Sequence, residues 1–208
     1  MGMYFGHFDF EHPLLWTVPE LFSAAECAAL VAGEAEHAWM PATVNSATGR
    51  VVEPGVRDST TAVLRDTALA AELYRRVLPH VPQRMSAELG ARGRVQVEVA
   101  GVHVPVRIYR YEQGQHFGIH QDQSYFGEEG TKSLLTFMVY LNDDFGGGET
   151  DFPEQGRTIM PKTGMALLFQ HMLLHTGKRV TAGTKMVLRS DVLYRSVDGS
   201  SAPAPPAM

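Results

Sequence analysis

The chain has 208 residues, 44% of them apolar and 20% charged, enough for one globular core and too apolar for wholesale disorder. Eighteen basic against 23 acidic residues give a net charge of −5, a poor match to the phosphate backbone of a nucleic acid. The single cysteine, Cys27, excludes an intrachain disulfide framework, and no apolar run approaches the roughly 20 residues that span a bilayer.

The opening MGMYFGHFDFEHP lacks a basic segment, carries Asp9 and Glu11 early, and has Gly6 where myristoylation requires Ser or Thr, so a cytoplasmic protein is expected. The first third reads mainly helical. Ser23 and Glu26 form a capping box, and the Ala-rich run after them places Cys27, Leu30, Val31 and Trp39 at helical spacing until Pro41. Asn45, Ser46, Gly49, Pro54 and Gly55 mark a loop. Asp66 caps a second helix with Leu69, Leu73, Val77 and Leu78 on one face, ended by Pro79 and Pro82.

From about residue 94 the period changes to two. RVQVEV alternates, and so does VHVPVRIYRY, which puts Arg107, Tyr109 and Tyr111 on one strand face. SLLTFMVYL is mostly apolar, like a strand covered on both sides, and TIM, GMALLF and KMVLRSDVLY follow between glycines and prolines. The expected fold is mainly β, a jelly roll carrying supporting α-helices, as a single domain over residues 1–197. Its N-terminal part (about 1–92) supplies a strand and the helices, its core covers about 93–197, and the low-complexity tail 198–208 is expected to be disordered.

Among nine histidines, two stand out with one carboxylate: His120 and Asp122 in GIHQDQ, and His175 in LLHTG. Positions i and i+2 of a strand share a face, so the first two can hold one ion, and His175 returns after three or four expected strands. Two imidazoles and a carboxylate form the facial triad of non-haem Fe(II) oxygenases, which leaves coordination positions open for a keto acid and dioxygen. A His-X-Asp pair alone is common on solvated strands, so the neighbouring segments matter. His116 and His171, each four residues before a candidate ligand, read as a rim residue and a supporting one; Asp191 shares a face with Arg189 and is its expected partner.

Those segments resemble the prolyl-4-hydroxylase-like, 2-oxoglutarate-dependent Fe(II) oxygenases. YRYEQGQHFGIHQD resembles the family's first metal-binding strand, TFMVYLNDDFGGGETDF its central block, and PKTGMALLFQHMLLHTGKRVTAGTKMVLRSDVLY the part supplying the distal His and a basic residue ten positions on. The resemblance covers about residues 95–195 and implies a double-stranded β-helix, cupin-like in architecture. It implies His120, Asp122 and His175 as catalytic iron ligands and Lys185 as the partner of the distal carboxylate of 2-oxoglutarate, with Arg189 its competitor. Independently of that likeness, a carboxylate buried in an apolar pocket needs a cation. The resemblance further places Tyr111, Tyr140 and Met138 around the cosubstrate. Arg57, Arg107, Tyr109, Gln123, Tyr125 and Phe126 are candidate substrate contacts.

The implied activity is hydroxylation of an unactivated C–H with decarboxylation of 2-oxoglutarate to succinate, using Fe(II), O2 and 2-oxoglutarate, with ascorbate as an accompanying reductant. The expected substrate is a small, amino-acid-like molecule, with a prolyl residue of a protein or peptide as the alternative; no nucleic-acid or membrane partner is expected. Two further readings are a demethylase of alkylated nucleic acid, which the charge disfavours, and a non-catalytic cupin-like metal-binding module, which the His-X-Asp pair and Lys185 disfavour.

Overall fold

The computed structural model describes residues 8–33, 38–46, 49–88, 93–127 and 130–197. Strand β1 (Leu15–Val18) leads into helix α1 (Ala24–Ala32), followed by β2 (Met40–Pro41), the hairpin strands β3 (Val44–Ser46) and β4 (Gly49–Val51), and β5 (Thr60–Leu64). Helix α2 (Thr67–Val77) precedes β6 (Arg84–Glu88), β7 (Arg94–Val102), β8 (Val106–Tyr111), β9 (Phe117–His120) and β10 (Thr131–Tyr140). The last third holds β11 (Gly146–Gly147), β12 (Thr150–Phe152), β13 (Arg157–Ile159), β14 (Ala166–Gln170), β15 (His175–Gly177), β16 (Val180–Ala182) and β17 (Lys185–Ser196).

The helices form where the sequence caps them. Ser23 accepts from the Glu26 amide while Glu26 bonds back to the Ser23 amide, and Asp66 accepts from the Leu69 amide. The first third is nevertheless not mainly helical. α1 stops at Ala32 with Gly33 as its cap, Trp39 lies outside it, and the expected run between them crosses residues 34–37, which lie outside the described residues. Short strands fill much of the rest, including a hairpin where a plain loop was expected. The tail 198–208 also lies outside the described residues.

Two antiparallel layers result. The larger sheet has nine strands in the order β1-β14-β10-β17-β8-β5-β2, with β7 on the far part of β17 and β6 beyond it. The smaller has the order β13-β12-β15-β9. Both faces of the large sheet are covered, and its central strands show it. In β14 all five residues are buried: Ala166 and Leu168 pack toward the helices with Cys27, Leu73 and Val77, while Leu167 and Phe169 pack with Phe152 of the smaller layer and Leu173 of the turn before β15. On β17, Met186 and Leu188 join the helix side. Alternation therefore turns Lys185, Val187, Arg189 and Asp191 toward the space between the sheets. This mostly-β architecture is the jelly roll expected from the sequence.

Candidate metal centre and active site

The mouth between the sheets is lined by Arg57, Tyr109, Tyr111, Phe117, His120, Asp122, Met138, Thr150, His175, Gly177, Lys185, Val187 and Arg189. At its floor the backbone register brings two imidazoles together. β9 pairs antiparallel with β15 so that His120 lies directly opposite His175, and the rings sit 4.1 Å apart. Asp122 is not on the strand as alternation suggested, because β9 ends at His120. Its amide instead donates to the His171 carbonyl at 3.0 Å, which holds the extended segment past the strand and returns the carboxylate to the imidazoles.

The donor atoms of His120, Asp122 and His175 all lie within 4.8 Å of one another. His120 Nδ1 bonds to the Gly118 carbonyl at 2.8 Å and His175 Nδ1 to the Leu173 carbonyl at 2.9 Å. A carbonyl only accepts, so Nδ1 carries the proton in both rings and each Nε2 keeps a free lone pair. Those Nε2 atoms stand 3.6 and 3.7 Å from the two Asp122 oxygens, beyond hydrogen-bond reach. A divalent ion at about 2 Å from each donor fits such a gap. Two neutral nitrogens and one carboxylate oxygen are the donor set that suits Fe(II), so the residues fit the metal.

Charge is set to the same end. Burial pulls the His175 imidazole down to about 4, so it is neutral and able to ligate near pH 7. Burial alone would raise the Asp122 carboxyl, but the Arg189 guanidinium and the two imidazoles hold it well below the usual range. Phe117 stacks on His120 at 3.6 Å, and Phe152 and Phe169 flank His175 at 5.6 and 4.6 Å, giving the metal position apolar walls.

Lys185, the expected partner of the distal carboxylate, and Arg189, its competitor, have different surroundings. Lys185 is fully buried; its Nζ donates to the Gly148 carbonyl at 2.6 Å and lies 5.5 Å from the ring centres of Tyr111 and Tyr140. Burial brings its amine down to about 8, with Glu149 working against that fall. Arg189 instead binds Asp122 at 2.9 Å and, as expected, Asp191 at 3.5 Å, so its charge is spent on those two carboxylates. Burial would lower it, but Asp122 and Asp191 push it up. Met138 lines the cavity, while the Tyr140 hydroxyl bonds to Thr150 at 2.7 Å.

Of the candidate substrate contacts, Arg57 and Tyr109 line the cavity. Arg57 is buried between the Tyr109 and Phe117 rings at 4.0 and 4.2 Å and reaches the Tyr111 hydroxyl at 3.3 Å. Arg107 is half-buried on the same face of β8, directly across from Arg189, but outside the lining. Gln123, Tyr125 and Phe126 are exposed beyond Asp122 and do not line the cavity. Sequence reasoning missed Phe117, Thr150, Gly177 and Val187 in the lining and Thr136 behind Asp122. His116, expected at the rim, pairs with Asp58 at 3.2 Å.

Residues 106–190 match the 2OG-Fe(II) oxygenase superfamily, and that segment holds the whole donor set and Lys185. Over this segment, less than half of the chain, the sequence is similar to that superfamily, and the expected cofactors, Fe(II), 2-oxoglutarate and O2, are those of the superfamily. A protein of Acanthamoeba polyphaga mimivirus named as a prolyl 4-hydroxylase is 33% identical over 100 residues, 39% of this chain and 41% of its own length. Prolyl 4-hydroxylase 1 of Arabidopsis thaliana is 26% identical over 204 residues, 83% of this chain and 66% of its own length, so the chain spans only part of these relatives. Among solved structures, the viral collagen prolyl hydroxylase of Paramecium bursaria Chlorella virus-1, in its 2OG complex, shares the fold with TM-score 0.61 at 19% identity, over 88% of this chain and 97% of that one. A Trichoplax adhaerens prolyl hydroxylase bound to a hypoxia inducible factor peptide fragment does so with TM-score 0.67 at 13% identity, over 94% and 89%. The expectation of a small amino-acid-like substrate is corrected here: the relatives are named for prolyl hydroxylation, and one neighbour in fold holds a peptide.

Proposed function

We propose that this chain is a 2-oxoglutarate- and Fe(II)-dependent oxygenase that hydroxylates prolyl residues in a peptide or protein. The observation that carries this reading is one cavity with two ends: an open-faced His-Asp-His donor set on its floor and a lone buried lysine beside two tyrosines at its side. Iron bound there, with the keto acid and dioxygen, supplies the oxidising power that turns a C–H into an alcohol while 2-oxoglutarate becomes succinate and carbon dioxide.

The chain's own residues select and orient. His120 and His175 offer Nε2 because two backbone carbonyls fix their Nδ1 protons. Lys185, deep in the cavity, meets the far carboxylate of a dicarboxylate whose other end reaches the metal position. Phe117, Phe152 and Phe169 keep water from the imidazoles. Exposed Ile119, Tyr125 and Phe126 flank the first two ligands and offer an apolar surface along which an extended peptide can lie. Similarity to relatives named prolyl 4-hydroxylase supports the choice of target.

The test is incubation with Fe(II), 2-oxoglutarate, oxygen and a panel of prolyl peptides, reading peptide-stimulated succinate and the mass of each peptide. The expected result is succinate release coupled to the gain of one oxygen on proline. Oxygen found only on other residues would overturn the prolyl assignment, and no 2-oxoglutarate turnover with any peptide would overturn the activity.

A further inference from the structure

Behind Asp122, away from the cavity, lies a chain of buried polar side chains that the proposed chemistry does not use. Thr136 and Ser133 are fully buried and His171 is 3% exposed. Thr136 Oγ1 donates to Asp122 Oδ2 at 2.6 Å. Having spent its one proton, that hydroxyl can only accept from His171 Nδ1 at 2.8 Å, which assigns the imidazole proton to Nδ1. His171 Nε2 must then accept from Ser133 Oγ at 2.9 Å, and that oxygen in turn accepts the Tyr125 amide at 2.7 Å. The bonds run one way, Tyr125 to Ser133 to His171 to Thr136 to Asp122, with no competing proton at any link. The His171 carbonyl also receives the Asp122 amide at 3.0 Å, so a single residue grips both the backbone and, through Thr136, the side chain of Asp122.

Packing does not explain this set, since Leu or Val would fill the same space without polar atoms to satisfy. The chain ends on a carboxylate that no strand holds, and Arg189 grips only its other oxygen, Oδ1. We infer that His171 and Thr136 are positioning residues for the metal-binding carboxylate. They fix the direction of Asp122 Oδ2 and tie it to the exposed Tyr125 segment beyond it. The inference rests on reading His120, Asp122 and His175 as a metal centre.

Anaerobic titration of the apo-protein with Co(II), followed by visible absorption, tests it without any turnover. Thr136→Val, which keeps shape and loses the hydroxyl, is expected to weaken Co(II) binding by about 10- to 100-fold, the usual effect of losing a hydrogen bond behind a ligand. Thr136→Ser, which keeps the hydroxyl, is expected to bind like the wild type. Ser133→Ala, which cuts the chain two links away, is expected to weaken binding by a smaller factor. A folded Thr136→Val that binds Co(II) as tightly as the wild type would overturn the role. Should Thr136→Val not fold, Ser133→Ala decides, unchanged affinity there counting against the relay. Wild-type protein that binds no Co(II) would remove the metal centre itself, a failure distinct from equal binding by wild type and variant.

Discussion

Lys185 and Arg189 lie four residues apart on one strand face, and sequence alone leaves either free to hold the cosubstrate. Their surroundings differ: Arg189 pairs directly with Asp122 and Asp191, whereas Lys185 bonds to a carbonyl and faces two aromatic rings. Replacing Lys185 with Met is therefore expected to raise the 2-oxoglutarate KM by about 10- to 100-fold, the worth of one charged hydrogen bond, as read from initial rates of succinate formation. The pH dependence follows from its position. Its amine is brought down to about 8 by burial, and only the protonated form pairs with a carboxylate. Cosubstrate affinity should be flat below pH 8 and fall about tenfold per pH unit above it, toward the higher pKa of the complex; a profile flat through about pH 9 in anaerobic binding would contradict this. His175→Ala is expected to abolish peptide-coupled succinate formation, and wild-type turnover in that variant would remove His175 from the donor set. His120 and His175 were legible from the segments around them, since nine histidines leave a lone imidazole uninformative. Thr136 was not, since a threonine in a β-rich run carries no signal until its partner is known.

Strands with a clear period of two or a continuous apolar run were legible: β7, β8, β10, β14 and β17 all lie where the pattern put them. The short strands β2, β3, β4 and β5 were not, since two to five residues cannot show a period and their pairing is made by distant neighbours. Helix starts were legible from Ser23 and Asp66, whereas the end of α1 at Gly33 was masked by further alanines and an apparent periodic Trp39. Gly164 shows what joins these elements. Its φ of +79° and a hypothetical Cβ 1.8 Å from the Phe22 carbonyl leave no room for a side chain. Its own carbonyl receives the Phe22 amide and its amide donates to Tyr140, fastening the lead of α1 to the large sheet. Gly164→Ala is expected to cost more than about 2 kcal/mol in urea unfolding, and a near-neutral result would mean that this junction yields freely.

Across the molecule the helices cover one face of the large sheet and the smaller sheet packs on the other, so the site occupies the gap between layers. The three donors come from strands and segments of the thin side, whose strands are three or four residues long. Metal should therefore brace the weaker layer. Saturation with Co(II) at about a hundred times its Kd is expected to add about 2.7 kcal/mol of stability by mass action, seen as a rise in Tm that a chelator reverses and that is lost in His175→Ala. An unchanged Tm would show that the donors do not close on an ion in the folded state.

The facing positions of His120 and His175 on one rung of the narrow sheet carry a consequence for how this chain can change. Side chains swap faces at every step along a strand, so adding or deleting one residue inside β9 or β15 would swing an imidazole to the outer surface. Length changes between residues 111 and 117 meet no such parity rule. The two ligand strands are thus the part of the chain where residue count itself is under constraint.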